Sequence, residues 1–433
     1  MRARNGPVYN GHPIDTVKKG ITMNPGTFKA GSTRALVAVA LIAVAWLVGV
    51  TVAAGGGQRG GQQAGQQAGT PGSQVQTTDK PLLAEEAFKN VQVLRGISVD
   101  DFMGTMGIMC VSLAFDCSDC HDNAGTVKVD WAADTPRKRT ARRMVTMVQT
   151  INKDNFGGRQ VVTCWTCHRN RDRPLVTPTM DVLYGEPPEQ RDDIVVQAQG
   201  LKTTATQIFD KYIQALGGAQ ALSQLTSYVA SGTSTGFGGF GGGGSVRIYA
   251  KSPDKRSTFI QFKDDPERGD SSRTYNGSVG WVKTPLSVLL EYSLSGSELD
   301  GARLDALMGF PGQIKTTFTN TRVGFATSIN NVPVEVVQGE GPRGIMTSLW
   351  FDQKTGLLVR MIRYGKSPIG RVPTQVDIAD YRDVGGGVKM PFKWTFAWLD
   401  GIDTFQMTNF QRNAPVDDAM FGRPTNEVLA RLK

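Results

Sequence analysis

The five-residue pattern Cys-x-x-Cys-His occurs twice in this chain, as Cys117-Ser118-Asp119-Cys120-His121 and as Cys164-Trp165-Thr166-Cys167-His168, about forty residues apart. The spacing has a chemical reason. Two thiols two residues apart on a tight turn form thioethers to the two vinyl groups of a haem, and the imidazole that follows ligates the iron. Each copy is therefore a candidate site for one covalently held c-type haem, so the cofactors expected are two haems. Structural zinc would need four matched ligands and would leave each histidine stranded beside the second cysteine of its pair. A redox dithiol would need one motif, beside a βαβ pattern that the chain lacks.

Residue counts then restrict how each iron is completed. The chain has five cysteines and three histidines. The motifs take four cysteines and leave Cys110 in an apolar stretch, where it reads as a buried thiol. His121 and His168 are the proximal ligands, and His12 lies before an apolar segment near the N-terminus. Bis-histidine ligation is thereby excluded for both haems unless a partner chain supplies an imidazole. Methionine is the alternative, and a thioether opposite histidine raises the reduction potential, which suits a carrier. Met103, Met106, Met109, Met144, Met147 and Met180 all compete, and periodicity does not choose among them.

Ala35 to Ala54 is an uncharged run of twenty residues, long enough to cross a bilayer as one helix. Lys18, Lys19, Lys29 and Arg34 precede it, which predicts a cytoplasmic segment 1–34 and export of the rest. A signal peptide starting at Met23 and cleaved after Val52-Ala53-Ala54 is the alternative to a single-pass inner-membrane anchor. Residues 55–79 are rich in Gly and Gln and read as a flexible tether, with a reach of roughly 25 to 30 Å. The haem motifs then face the periplasm. The net charge of +9 partly resides in the first 34 residues, where six Lys/Arg face one Asp, so nucleic-acid binding is not expected.

Residues 80–185 read as a mainly helical dihaem module. Ser98-Val99-Asp100-Asp101 resembles a capping box before Phe102, Met106, Met109, Cys110 and Leu113 at helical spacing. Thr135-Pro136 opens a second helix whose apolar face is Met144, Met147, Val148 and Ile151. Helix then motif, twice, is a weak internal repeat. Arg137, Lys138, Arg139, Arg142, Arg143, Arg169, Arg171 and Arg173 make the module basic, either as a solvated surface or as partners for haem propionates and an acidic redox protein.

Residues 200–425 differ. A helix over Thr203 to Leu216 ends at Gly217-Gly218, and ten short alternating segments follow: 227–235, 246–250, 257–262, 280–283, 334–338, 347–352, 356–364, 375–381, 393–399 and 404–410. They predict a large curved antiparallel sheet interrupted by a helix near 295–308. Gly236 to Gly244 reads as a hairpin tip. The expected fold is thus multidomain: an N-terminal transmembrane helix, a mainly α multihaem cytochrome c module and a C-terminal α+β domain.

Asn90-Val91-Gln92-Val93-Leu94, the helix around Phe102 to Met109, Arg142-Arg143-Met144-Val145-Thr146-Met147, Ile151-Asn152 and Val162-Thr163 running into the second motif resemble the cytochrome c subunit of photosynthetic reaction centres, over roughly residues 81–178. The resemblance implies a distal methionine on the helix before each motif, which falls on Met106 and Met144. That family carries four haems in two such halves, and this chain has motifs for one half. The C-terminal part loosely resembles the half-barrel of periplasmic lipoprotein carriers, through its Ala-Leu-Gly-Gly helix end, Asn276-Gly277, Lys354-Thr355-Gly356, Val388-Lys389-Met390-Pro391 and Val416-Asp417-Asp418. The function implied is non-enzymatic electron transfer between a small soluble carrier and a membrane complex, by resemblance the photosynthetic reaction centre. Alternatives are a respiratory electron carrier, a lipid or quinone carrier with an attached haem module, and a dihaem peroxidase.

Overall fold

Ser98 starts the helix around which the N-terminal part is built. The computed structural model describes residues 81–126, 128–178, 180, 193–237, 243–262, 269–285 and 287–425. After a single turn, α1 (Ala84–Ala87), comes α2 (Val99–Leu113). The Ser98 hydroxyl accepts the Asp101 N–H at 3.2 Å, and Asp100 and Asp101 place negative charge at the positive end of the helix. The helix stops at Ala114, whose left-handed backbone (φ 57°) lets its own N–H reach the Cys110 carbonyl. The first motif forms α3 (Cys117–Cys120), and α4 (Pro136–Phe156) follows, capped by Thr135 with proline in its first turn and ended by the left-handed Gly157. The second motif forms α5 (Cys164–His168). Both helix starts expected from the sequence are present, and helix then motif does occur twice.

Beyond residue 193, α6 (Ala205–Ala215) and α7 (Ala219–Ser223) precede the sheet. Its strands are β1 (Ser227–Phe237), β2 (Gly244–Lys251), β3 (Lys255–Gln261), β4 (Ser271–Tyr275), β5 (Gly280–Lys283), β6 (Glu291–Ser293), β7 (Thr319–Val323), β8 (Thr327–Ile329), β9 (Val332–Glu340), β10 (Met346–Asp352), β11 (Leu358–Ser367), β12 (Gly370–Asp383), β13 (Lys389–Ala397) and β14 (Ile402–Arg412). A further helix, α8 (Gly296–Met308), separates β6 from β7. These fourteen strands, among the described residues, form one antiparallel sheet. Its order is β6-β5-β4-β3-β2-β1-β14-β13-β12-β11-β10-β9-β7, with β8 on β9. Successive strands are hairpin neighbours except at two places: β6 and β7 lie at opposite edges of the sheet, and β7 and β8 both pair with β9. The first and last strands meet in the middle, with Tyr228 opposite Arg412 and Phe237 opposite Ile402. Ile208, Phe209 and Tyr212 of α6, with Leu216 at its C-cap, are buried in one cluster with Phe351, Leu358, Val388 and Met390, and each such side chain contributes about 1.5–3 kcal/mol.

The described residues form one compact unit. Helix α2 is the element shared between the helical part and the sheet. Its glycines allow the contact: a Cβ on Gly104 would lie 3.3 Å from Val372, and one on Gly107 would lie 2.9 Å from Leu399. Ile108 packs with Leu94, Val145, Ile369 and Val372 in one cluster drawn from both parts. Asp100, 6% exposed, accepts the Ser295 N–H at 2.6 Å and its hydroxyl at 2.8 Å, joining the start of α2 to the start of α8. Among the described residues no helix is long and apolar enough to cross a membrane. The candidate span 35–54, the tether 55–79 and part of the Gly236–Gly244 tip lie outside the described residues.

Candidate haem-binding site

The first motif is held by its own polar residues. Asp116 caps α3, accepting the Ser118 N–H at 2.7 Å and its hydroxyl at 2.6 Å, while the Asp119 carboxylate accepts the Asp116 N–H at 3.0 Å. These bonds hold the Asp116 carboxyl below its ordinary pKa, chiefly through Ser118. Arg137 of α4 donates to the Asp119 carbonyl at 2.9 Å and to its carboxylate at 2.5 Å, and lies over the Phe115 ring at 4.6 Å. The Thr135 hydroxyl donates to the Cys120 carbonyl at 2.9 Å, so the cap of α4 also fixes the end of the motif.

Cys117, Cys120 and His121 converge on a cavity of about 510 Å³. Its apolar walls include Phe88, Phe102 and Leu113, and Met103, Met106 and Met109 enter it from α2. Phe88 and Phe102 stack with ring centroids 5.2 Å apart. Trp131 meets the His121 ring edge-on at 5.0 Å. Burial first, then the Lys138 ammonium, holds His121 below its ordinary pKa; the neutral imidazole this favours is the form that ligates metal. His121 Nδ1 is buried without a hydrogen bond of standard geometry, although the nearby Trp131 backbone favours protonation of the ring. Lys138 and Arg142 bring positive charge to the same cavity. Lys138 donates to the carbonyls of Trp131 (2.9 Å) and Ala133 (2.5 Å), and Arg142 pairs with Asp134.

This donor set fits a covalently attached haem: two thiols and an imidazole at one wall, thioethers from a facing helix, and apolar sides. Cys110 also lines the cavity, and burial pushes its thiol up to about 12, so it stays protonated and inert. It is half-buried, more open than the sequence suggests.

The second motif is more open. Thr163 caps α5 and exchanges hydrogen bonds with Thr166, whose hydroxyl accepts the Thr163 N–H at 3.0 Å. Cys167 is exposed and Trp165 is 48% exposed, while Cys164 packs into the shared cluster and burial raises its thiol pKa. His168 Nδ1 donates to the Arg171 carbonyl at 3.0 Å, which leaves Nε2 as the free ring nitrogen. The Arg171 N–H in turn bonds the Ser112 carbonyl at 3.1 Å, tying the motif to the end of α2. Asn152, 7% exposed, accepts the N–H groups of Val161 (3.0 Å) and Val162 (2.9 Å) and donates to the Val162 carbonyl at 2.7 Å, setting the approach to Cys164. Asn152 appears in the sequence only as part of the resembling stretch Ile151-Asn152, and nothing in the pattern singles out Trp131.

Of the two methionines carried by resemblance, Met106 enters the first cavity. Met144 is half-buried on α4 and does not line it; Ala141, Arg142 and Val145 do. Met103 and Met109, which the resemblance does not select, enter beside Met106. Met147 and Met180 are 43% and 60% exposed.

Residues 50–210 match the family described as the photosynthetic reaction centre cytochrome C subunit. The reaction centre cytochrome c subunit of Thermochromatium tepidum is 38% identical over 96 residues, covering 21% of this chain and 22% of the relative. That of Roseobacter denitrificans is 30% identical over 140 residues, covering 29% and 38%. The chain thus spans well under half of the length of either reaction centre subunit. Among solved structures, a LolA superfamily protein from Nitrosomonas europaea covers 51% of this chain and 98% of its own, at 13% identity and a TM-score of 0.35. A DUF1329 family protein from Desulfovibrio piger also aligns at 13% identity and a TM-score of 0.35.

A second, smaller cavity of about 180 Å³ lies between the sheet and its helices. Met361, Ile378, Trp394, Phe405 and Met407 are among its lining residues, with Arg256 and Arg273 as polar members.

Proposed function

We propose that the chain is an electron-transfer cytochrome that holds two haems covalently, through Cys117 and Cys120 and through Cys164 and Cys167, with His121 and His168 as proximal ligands and Met106 and Met144 as distal ones. The observation that carries this reading is the convergence of Cys117, Cys120, His121 and Met106 on one apolar cavity. The match of residues 50–210 to reaction centre cytochrome subunits supports it.

When bound, the haem supplies a one-electron iron couple. The chain's residues do the rest. The cysteines fix the group in place, and the phenylalanines and leucine of the first cavity exclude water. Lys138 and Arg142 offer cationic partners to propionate carboxylates. Met106 and Met144 would complete the iron ligation, and a thioether ligand would raise the potential, as suits a carrier rather than an enzyme. The expected setting is the periplasmic face of the inner membrane, anchored through residues 35–54. There the chain passes electrons from a small soluble carrier to a membrane-bound redox complex, by resemblance the photosynthetic reaction centre.

Produced with cytochrome c maturation machinery, the chain is expected to gain the mass of two haems, retained under denaturing conditions. Cys117→Ser with Cys120→Ser is expected to remove one of them and leave the other. Haem that extracts into acidic acetone would overturn the reading.

The cavity in the sheet favours a second role, binding of a small apolar molecule. Co-purification of a lipid or quinone, lost on Met361→Trp, would establish it; a delipidated protein that takes up neither would exclude it.

A further inference from the structure

Between β5 and β6 the hairpin connection carries Val288-Leu289-Leu290, three consecutive apolar residues where polar turn residues are the rule. The hairpin closes through the Thr284 N–H and the Leu290 carbonyl at 2.9 Å. Val288 and Leu289 then line the cavity that holds Cys117, Cys120, His121 and Met106. A second loop of the sheet reaches the same region. The turn after β13 lays Leu399 and Trp398 on α2 at Gly107. The candidate haem cavity is therefore walled partly by side chains from the helical part and partly by side chains that arrive with the sheet.

We infer that Val288 and Leu289 are positioning residues for the first haem, forming the wall through which the sheet limits water at that site and keeps its reduction potential high. The inference rests on the haem reading above and goes beyond it in giving the sheet a part in the redox site. The physical basis is general: ferric haem carries more positive charge than ferrous, so water admitted to an apolar pocket stabilises the oxidised form and lowers the potential.

The test is the Val288→Ser, Leu289→Ser double variant, prepared as the haem-loaded full chain and titrated spectroelectrochemically. Leu290→Ser serves as control, since Leu290 is 66% exposed and does not line the cavity. Two haems by mass, one midpoint potential shifted downward, the other unmoved and a several-fold faster oxidation of that one haem by ferricyanide would support the inference. Two haems with both potentials and rates equal to those of the wild type would overturn it while leaving the haem reading intact. A wild-type chain with no haem at Cys117 and Cys120 would remove the haem reading and the inference together. If the double variant loses both haems through misfolding, Val288→Ala, a smaller apolar truncation, decides by the same two readouts.

Discussion

Asp100→Asn changes one atom type in the joint between helix and sheet, and its effect can be worked from the structure. Burial first, then the neighbouring Glu298 carboxylate, raises the Asp100 pKa from 3.8 to about 7, while the two bonds from Ser295 and the more distant Arg273 pull it back. Tyr292 of β6 also faces this group. Glu298 behaves oppositely. Burial would raise it, but Arg363 and Arg273, at 3.3 and 3.0 Å, together hold it at about 2. The folded chain thus keeps the Asp100 proton at a pH where the unfolded chain has released it. The stability this lends is complete below about pH 4 and is lost as pH rises toward 7. At about 1.4 kcal/mol for each tenfold change, the loss is on the order of 4 kcal/mol. Glu298 contributes in the other direction and only below about pH 4.5, so above that pH the Asp100 slope stands clear of it. Asparagine mimics the protonated acid and can still accept from Ser295. Urea unfolding of the haem-loaded protein at intervals from pH 5 to 8.5, followed by far-UV circular dichroism, should show wild-type stability falling with pH and the variant nearly flat. Some slope should remain in the variant, because burial also raises Asp101, Asp254, Asp300 and Asp400. A variant as pH-dependent as the wild type, or less stable than it at pH 8, would refute the reasoning.

Gly107→Ala should lower the melting temperature, at a cost of about 1–3 kcal/mol, because its Cβ meets Leu399 Cδ1 at 2.9 Å and Leu399 Cβ at 3.1 Å; adding Leu399→Ala should recover part of the loss. Asn152→Ala removes three hydrogen bonds before Cys164 and should cost about 1–3 kcal/mol, with haem occupancy by mass falling at the second motif and holding at the first. Met106→Ala should open one iron to carbon monoxide and lower one potential, read by absorbance and redox titration. Met144→Ala should do the same at the other haem, and identical spectra for either variant and the wild type would reject that methionine as a ligand.

Much of this was legible before any coordinates. The helix starts at Ser98 and Thr135 were readable because a capping hydroxyl and a first-turn proline are local signals, and the structure uses both. All ten expected strands are present, most of them longer than their alternating cores. The four others fail as sequence signals for identifiable reasons. β4 reads Ser-Ser-Arg-Thr-Tyr, a polar segment that is nevertheless buried, with Ser271 and Thr284 hydroxyls paired at 2.7 Å. β6 and β8 are three residues long, below the length at which alternation can be seen, and β7 is exposed over its first three positions. Choosing among Met103, Met106 and Met109 was beyond periodicity, since all three reach one cavity. Least legible was the packing of α2 on the sheet. Its glycines read as weak points of a helix, and only the positions of Val372 and Leu399 explain them.

The central pairing of β1 with β14 has a consequence in time. A chain emerging from its N-terminus presents Cys117, Cys120, Cys164 and Cys167 long before Val288, Leu289 or Leu399 exists, and the sheet cannot join its two halves until the strand ending at Arg412 has arrived. On the proposed reading, thioether chemistry would therefore have an interval in which both cysteine pairs stand free of the walls that later enclose the first. The same order makes the C-terminal strand the last closure to form, with the largest chain entropy to overcome. A ribosome stalled before Ile402 would hold a chain whose cysteines were ready for haem and whose sheet was still in two pieces.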